Sequence, residues 1–124
     1  MVIKESAEDY LESIYVLKKQ KGNVRSIDVV NYHGVSKPSV SVAMKKLRED
    51  GYVTVDEAGF LSLTEKGEAV AGRVYERHQV ISEALMALGV DRETALEDSC
   101  KIEHVISKES FERLKEFLEK RKGS

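Results

Sequence analysis

Apolar side chains recur at helical spacing through most of this chain and switch to strict alternation in one short stretch. Tyr10, Leu11, Ile14 and Leu17 form the first stripe and predict a helix from Ser6 to about Lys19 or Gln20. Ser6 is a good N-cap, and Asp9 three residues on resembles the far member of a capping box. Lys21, Gly22 and Asn23 end it. Ser26 is expected to cap a short second helix through about Tyr32, with His33, Gly34 and Val35 as the turn. A third helix starts at Ser36-Lys37-Pro38, with proline in the first turn, where no backbone donor is lost. It runs to Arg48 or Glu49. Val40, Ala43, Met44 and Leu47 give it a core face, while Ser41, Val42 and Lys45 point the other way.

Helix, short glycine-containing turn and a second helix with small hydroxyls outward predict a helix-turn-helix. The alternation follows at once: residues 52–55 and 60–63 predict two strands around Asp56, Glu57, Ala58 and Gly59, a hairpin wing. Two acids at its tip make a poor phosphate contact. Beyond it, Thr64 caps a long helix to about Leu88, with Ala69, Val70, Val74, Ile81, Leu85 and Leu88 inward. Gly89 ends that helix. Two more are expected, from about Arg92 to Ile106 and from Ser110 to Lys120, the last carrying Phe111, Leu114, Phe117 and Leu118. Residues 120–124 are a polar tail that should fray.

The predicted fold is therefore mainly α: an N-terminal winged helix-turn-helix with a two-stranded wing over residues 1–71, then an all-helical domain over 72–124. Roughly fifty residues are few for an independent core. The second part is expected to complete its burial against another copy, as a homodimer.

Bulk properties narrow the function. A net charge of −2 over 124 residues gives no global sign of nucleic-acid binding, so any DNA contact must come from a local basic face. One cysteine excludes an internal disulfide framework and suits a reducing cytoplasm. No apolar run is long enough to cross a bilayer, and the first residues lack a signal-peptide layout, so no membrane role is expected. Phosphate-loop and serine-hydrolase signatures are absent, and no enzymatic role is expected.

The stretch from Glu97 to Val105 carries the chemistry. Cys100, Glu103 and His104 stand at i, i+3 and i+4, so on a helix they share a face. A thiolate, a carboxylate and an imidazole together make half a site for a divalent transition metal. The ordinary alternative is a buried cysteine beside a polar Glu-His pair. Asp9 and Glu12 share a side of the first helix, and alone they read as solvated acids in a favourable first turn. His78 lies mid-helix, where a lone histidine is usually a surface or core residue; His33 reads as a turn histidine with no ligand-like neighbour.

The pieces together resemble the diphtheria-toxin-repressor family of metal-dependent repressors. The matching segments are residues 8–15, 35–41, 63–67, Arg77-His78 and 100–104, in order, across nearly the whole chain. Longer members carry a third, SH3-like domain, and this chain stops before it, as the manganese-responsive branch does. The resemblance implies Asp9, Glu12, His78, Glu103 and His104 as metal ligands, with Cys100 a candidate sixth. At Cys100 the manganese branch usually has Glu and the iron branch Cys. The iron branch usually has Met at the position of Asp9, and its ancillary site needs an acid at Ser82 and a His at Leu96. This sequence is thus a hybrid. Hard oxygens suit Mn(II) or Fe(II); a thiolate pulls towards Fe(II), Zn(II) or Co(II). Mn(II) or Fe(II) is the expected co-repressor, with Zn(II) or Co(II) able to bind in vitro.

The expected action is repression of metal-uptake genes. Metal would clamp the two parts of the chain and set the spacing of two recognition helices on a palindromic operator in double-stranded DNA. Ser36, Pro38 and Val42 would pack on thymine methyls. Ser39 and Ser41 would bond phosphate or base edges, and Lys37 and Lys45 phosphate or guanine. Two rivals stand beside this: a metal-independent winged-helix regulator with Cys100 as a redox sensor, and a metalloenzyme, for which no substrate pocket is suggested.

Overall fold

The computed structural model describes residues 5–122. The expectations for the first four residues and for Gly123 and Ser124 of the tail lie outside them. The described residues form six helices and one hairpin: α1 (Glu5–Lys21), α2 (Ser26–His33), α3 (Lys37–Glu49), β1 (Val53–Val55), β2 (Leu61–Leu63), α4 (Glu65–Ala87), α5 (Arg92–Ile102) and α6 (Lys108–Lys122). They fall into two compact units, one through Gly72 and one from Arg73, so the boundary lies within α4. The fold class is the mainly helical winged helix-turn-helix with a following helical part that the apolar pattern predicts.

In the first unit, α1, α2, α3 and the hairpin close over Leu11, Ile14, Val24, Val29, Val40, Met44, Leu47, Val53 and Leu61, all buried. Each such side chain contributes roughly 1.5–3 kcal/mol on burial. β1 and β2 pair antiparallel, with Val53 opposite Leu63 and Val55 opposite Leu61. An isolated bridge from Val24 to Leu61 ties the α1–α2 connection to the wing.

Local chemistry moves several boundaries. Ser6 lies inside α1 and does not cap it. α2 is capped one residue early: the Arg25 N–H donates to the Asp28 carboxylate at 2.8 Å, and Ser26 is the first helical residue. His33 ends α2 rather than opening the turn. Its ring bonds Ser13 and meets the Tyr10 ring edge-on at 5.1 Å, so it pins α2 to α1. α3 follows its expectation, with the Ser39 N–H donating to the Ser36 hydroxyl at 3.3 Å. Thr64 caps α4 by accepting from the Gly67 N–H and donates to the Gly51 carbonyl.

In α4 the inward stripe is Ala71, Val74, Ile81 and Ala84; Ala69 and Leu88 are exposed, against expectation. That stripe keeps helical spacing and passes over Ala69; Leu88 would continue it but lies just past the last helical residue, Ala87. α5 stops at Ile102, four residues short of the expected end. The Val105 N–H turns back to the Ile102 carbonyl at 3.0 Å, tightening the chain into a turn. Ser107 then starts α6, accepting from the Ser110 N–H. In the second unit α4 and α6 run parallel, with Lys115 on Glu76 and, seven residues further along both helices, Lys122 on Glu83.

Candidate metal centre and nucleic-acid face

The second unit gathers its chemistry where α4 faces the end of α5. α4 brings His78, α5 brings Ser99 and Cys100, and the turn after α5 brings Glu103 and His104. His78 Nδ1 lies 3.0 Å from Glu103 Oε2, 3.1 Å from Ser99 Oγ and 3.9 Å from Cys100 Sγ. His78, Cys100 and Glu103 each place a ligand atom within 4.8 Å of the others. The Glu103 side chain is 0% exposed, that of His78 21%. A carboxylate so deeply desolvated needs a compensating positive charge or hydrogen bonds.

Glu103 receives only part of that compensation from the chain. Oε2 faces His78, while Oε1 lies 3.5 Å from His104 Nε2 and has no hydrogen-bond partner among the described residues. A buried, orphaned carboxylate oxygen beside an imidazole, with a second imidazole and a thiol across the same carboxylate, suits a divalent cation. The donor set fits the ion on chemistry as well as on packing.

The structure thus brings together His78, Cys100 and Glu103, with His104 joined to them through the second oxygen of Glu103. The i, i+3, i+4 spacing anticipated a shared helical face. The actual arrangement has Cys100 on the helix and the other two on the turn. The Glu103 N–H still donates to the Ser99 carbonyl at 2.9 Å, so it keeps nearly helical placement. Cys100 is exposed, not the buried core cysteine of the ordinary alternative. Asp9 and Glu12 stand one turn apart on α1 in the first unit, both half-buried, so they are not simple solvated acids.

Two residues of this centre were not anticipated. Ser99 is fully buried, its hydroxyl lying between His78 and the Leu96 carbonyl. Arg77 reaches the carbonyls of Glu103 and Ile106. A helix serine and an arginine beside a histidine carry no local signal of such roles.

On the first unit, Ser36, Lys37, Pro38, Ser39, Ser41, Val42 and Lys45 are all exposed, Val42 at 71%. They form an open face on α3, opposite its buried Val40, Met44 and Leu47. The Ser36 hydroxyl is engaged in capping, donating to Ser39 Oγ at 2.8 Å. Lys46 and Arg48 add exposed positive charge to the last turn of α3. Arg48 and Lys45 line an open cleft with Thr54 of β1.

An open recognition-type helix beside a hairpin wing, with a His-Cys-Glu centre in the following helical unit, defines a metal-responsive winged helix-turn-helix regulator. Comparison with known proteins bears this out. Residues 3–59 match the iron dependent repressor N-terminal DNA binding domain, and residues 64–123 match the iron dependent repressor metal binding and dimerisation domain. The chain is 37% identical over 118 residues to an uncharacterized HTH-type transcriptional regulator of Methanocaldococcus jannaschii, covering 94% of each chain. It is 35% identical to the HTH-type transcriptional regulator MntR of Lysinibacillus sphaericus, over 92% of this chain and 82% of that one. Among solved structures, the manganese regulator SloR superposes with a TM-score of 0.81 at 32% identity, over 91% of this chain. The chain spans about half of that protein, 53% of its length. This chain belongs to the diphtheria-toxin-repressor family of metal-dependent transcriptional repressors.

Proposed function

We propose that the protein represses metal-uptake genes in the cytoplasm, as a homodimer on a palindromic double-stranded operator, with Mn(II) or Fe(II) as co-repressor. The observation that carries this is the buried Glu103 carboxylate, with one oxygen on His78 and the other orphaned beside His104. The proposed ligands are Asp9, Glu12, His78, Cys100, Glu103 and His104. The two oxygens of Glu103 face different imidazoles, so Glu103 would hold metal together with His78 and His104. When bound, the metal supplies positive charge to carboxylates that otherwise repel one another. Asp9 and Glu12 come from the first unit and the other ligands from the second. Their joint use favours one arrangement of the units, in which the two α3 helices of a dimer meet successive major grooves about 34 Å apart. On DNA, Lys37 and Lys45 take phosphates or guanine. Ser39, Ser41 and Val42, with Ser36 and Pro38, make close contacts, and DNA shape carries much of the specificity.

The exposure of Cys100 favours one second reading, a metal-independent regulator switched by thiol oxidation. Metal affinity for wild type, Glu103→Gln, Asp9→Ala and Cys100→Ser separates the two. Dye competition should show Mn(II) or Fe(II) uptake by wild type, at least tenfold loss in Glu103→Gln and Asp9→Ala, and a changed metal preference in Cys100→Ser. Unchanged affinity in Glu103→Gln contradicts the assignment. DNA binding indifferent to metal but abolished by diamide supports the thiol switch.

A further inference from the structure

Arg77 is neither a ligand candidate nor part of the DNA face, yet its side chain ties α4 to the turn that carries the metal centre. It precedes His78 on α4. Its Nη1 donates to the Ile106 carbonyl at 3.0 Å and to the Glu103 carbonyl at 3.3 Å, 29 and 26 residues away. The guanidinium carbon sits 5.6 Å from the centre of the Phe111 ring, so the first turn of α6 flanks it too. The segment it grips is the turn left where α5 ends early. Carbonyls at a helix end lack intrahelical donors, and a cation there also meets the negative end of the helix dipole. This turn carries Glu103 and His104.

We infer that Arg77 is a positioning residue for the metal centre: it locks the 103–106 turn to α4, so that the Glu103 carboxylate and His78 keep the separation an ion requires. This rests on the metal reading given above. The backbone of Glu103 is fixed on one side by the Ser99 carbonyl and on the other by Arg77. The side chain of Glu103 is left to face the imidazoles. Without the guanidinium, two carbonyls lose a charged donor and the turn is free to shift against α4. A shift of a few tenths of an ångström in a carboxylate matters little to folding and much to coordination. Lysine at this position keeps the charge but lacks the planar guanidinium that sits beside Phe111 and fixes the direction of the two Nη1 bonds.

The test uses the full chain in Arg77→Ala and Arg77→Lys forms, with wild type beside them. Three readouts are taken: metal-free thermal melting, the visible absorption spectrum of bound Co(II), and Mn(II) affinity by dye competition. Partners that orient metal ligands typically cost about 10–100-fold in affinity when removed. Arg77→Ala should lose affinity on that order and show an altered Co(II) spectrum, with Arg77→Lys intermediate in both. If Arg77→Ala does not fold, Arg77→Lys alone carries the test. A variant that melts earlier but binds Co(II) with wild-type affinity and spectrum shows Arg77 to be merely structural and overturns the inference. A wild type that takes up neither metal overturns the metal reading itself, and the inference with it.

Discussion

Glu103 shows what a single side chain can demand of its surroundings. Its charge is out of water, one oxygen is answered by His78, and the other is not. The alternative of an ordinary polar pair sits poorly with that burial. The spacing of Cys100, Glu103 and His104 was legible because coordination chemistry needs those residue types close together. The parts played by Ser99 and Arg77 were not, because they depend on a packing 21 to 29 residues distant in sequence. Asp28 is a smaller case with a testable pH signature. The Lys21 ammonium at 2.6 Å, and then the Arg25 N–H, hold its carboxyl below the usual carboxylate range. Because the folded-state value is depressed, the stabilisation is present above the unfolded carboxylate value near 3.8 and is lost as pH falls through the folded one. Its partner Lys21 is half-exposed, so solvent screens the pair, and Asp28→Asn should cost only about 0.5 kcal/mol near neutral pH. Urea melts of both proteins should differ at pH 7 and converge in strong acid; a gap that persists in acid contradicts the capping role.

At the scale of elements, periodicity located all six described helices and both strands, and failed where tertiary contacts decide an end. α5 stops at Ile102, where the chain tightens into a turn whose Glu103 and Ile106 carbonyls accept from Arg77. His33 was misread because its partners, Ser13 and Tyr10, lie on another helix. Gly67 is a position where two elements press together. It lies in the first turn of α4, and a Cβ added there would run into the Tyr52 carbonyl, which is backbone and cannot swing aside. That carbonyl also accepts from the Thr64 N–H at 3.0 Å, so moving it disturbs the cap of α4. Gly67→Ala should therefore destabilise by about 1–3 kcal/mol despite alanine's better helix propensity. A chemical-denaturation midpoint at or above that of wild type would show that the strand end yields freely.

At the scale of the whole molecule, the protein has a net charge of −2 and presents its positive charge locally. Lys37 and Lys45 stand exposed on α3, with Lys46 and Arg48 behind them. If Lys45 meets a phosphate, Lys45→Ala should weaken binding to all duplexes about equally and flatten the slope of log affinity against log salt by about 1. Loss confined to one base sequence, with the slope unchanged, would make Lys45 a base reader instead. Among the described residues no helix is long and apolar enough to cross a membrane. In this reading, metal controls the engagement of DNA by α3. The most direct measurement is fluorescence anisotropy of a palindromic duplex from the protein's own promoter, titrated with chelator-treated protein and then with Mn(II) or anaerobic Fe(II). Binding should be weak without metal and rise at least tenfold with one of these ions, and the rise should be lost in Glu103→Gln. Equal affinity with chelator and with metal would contradict it.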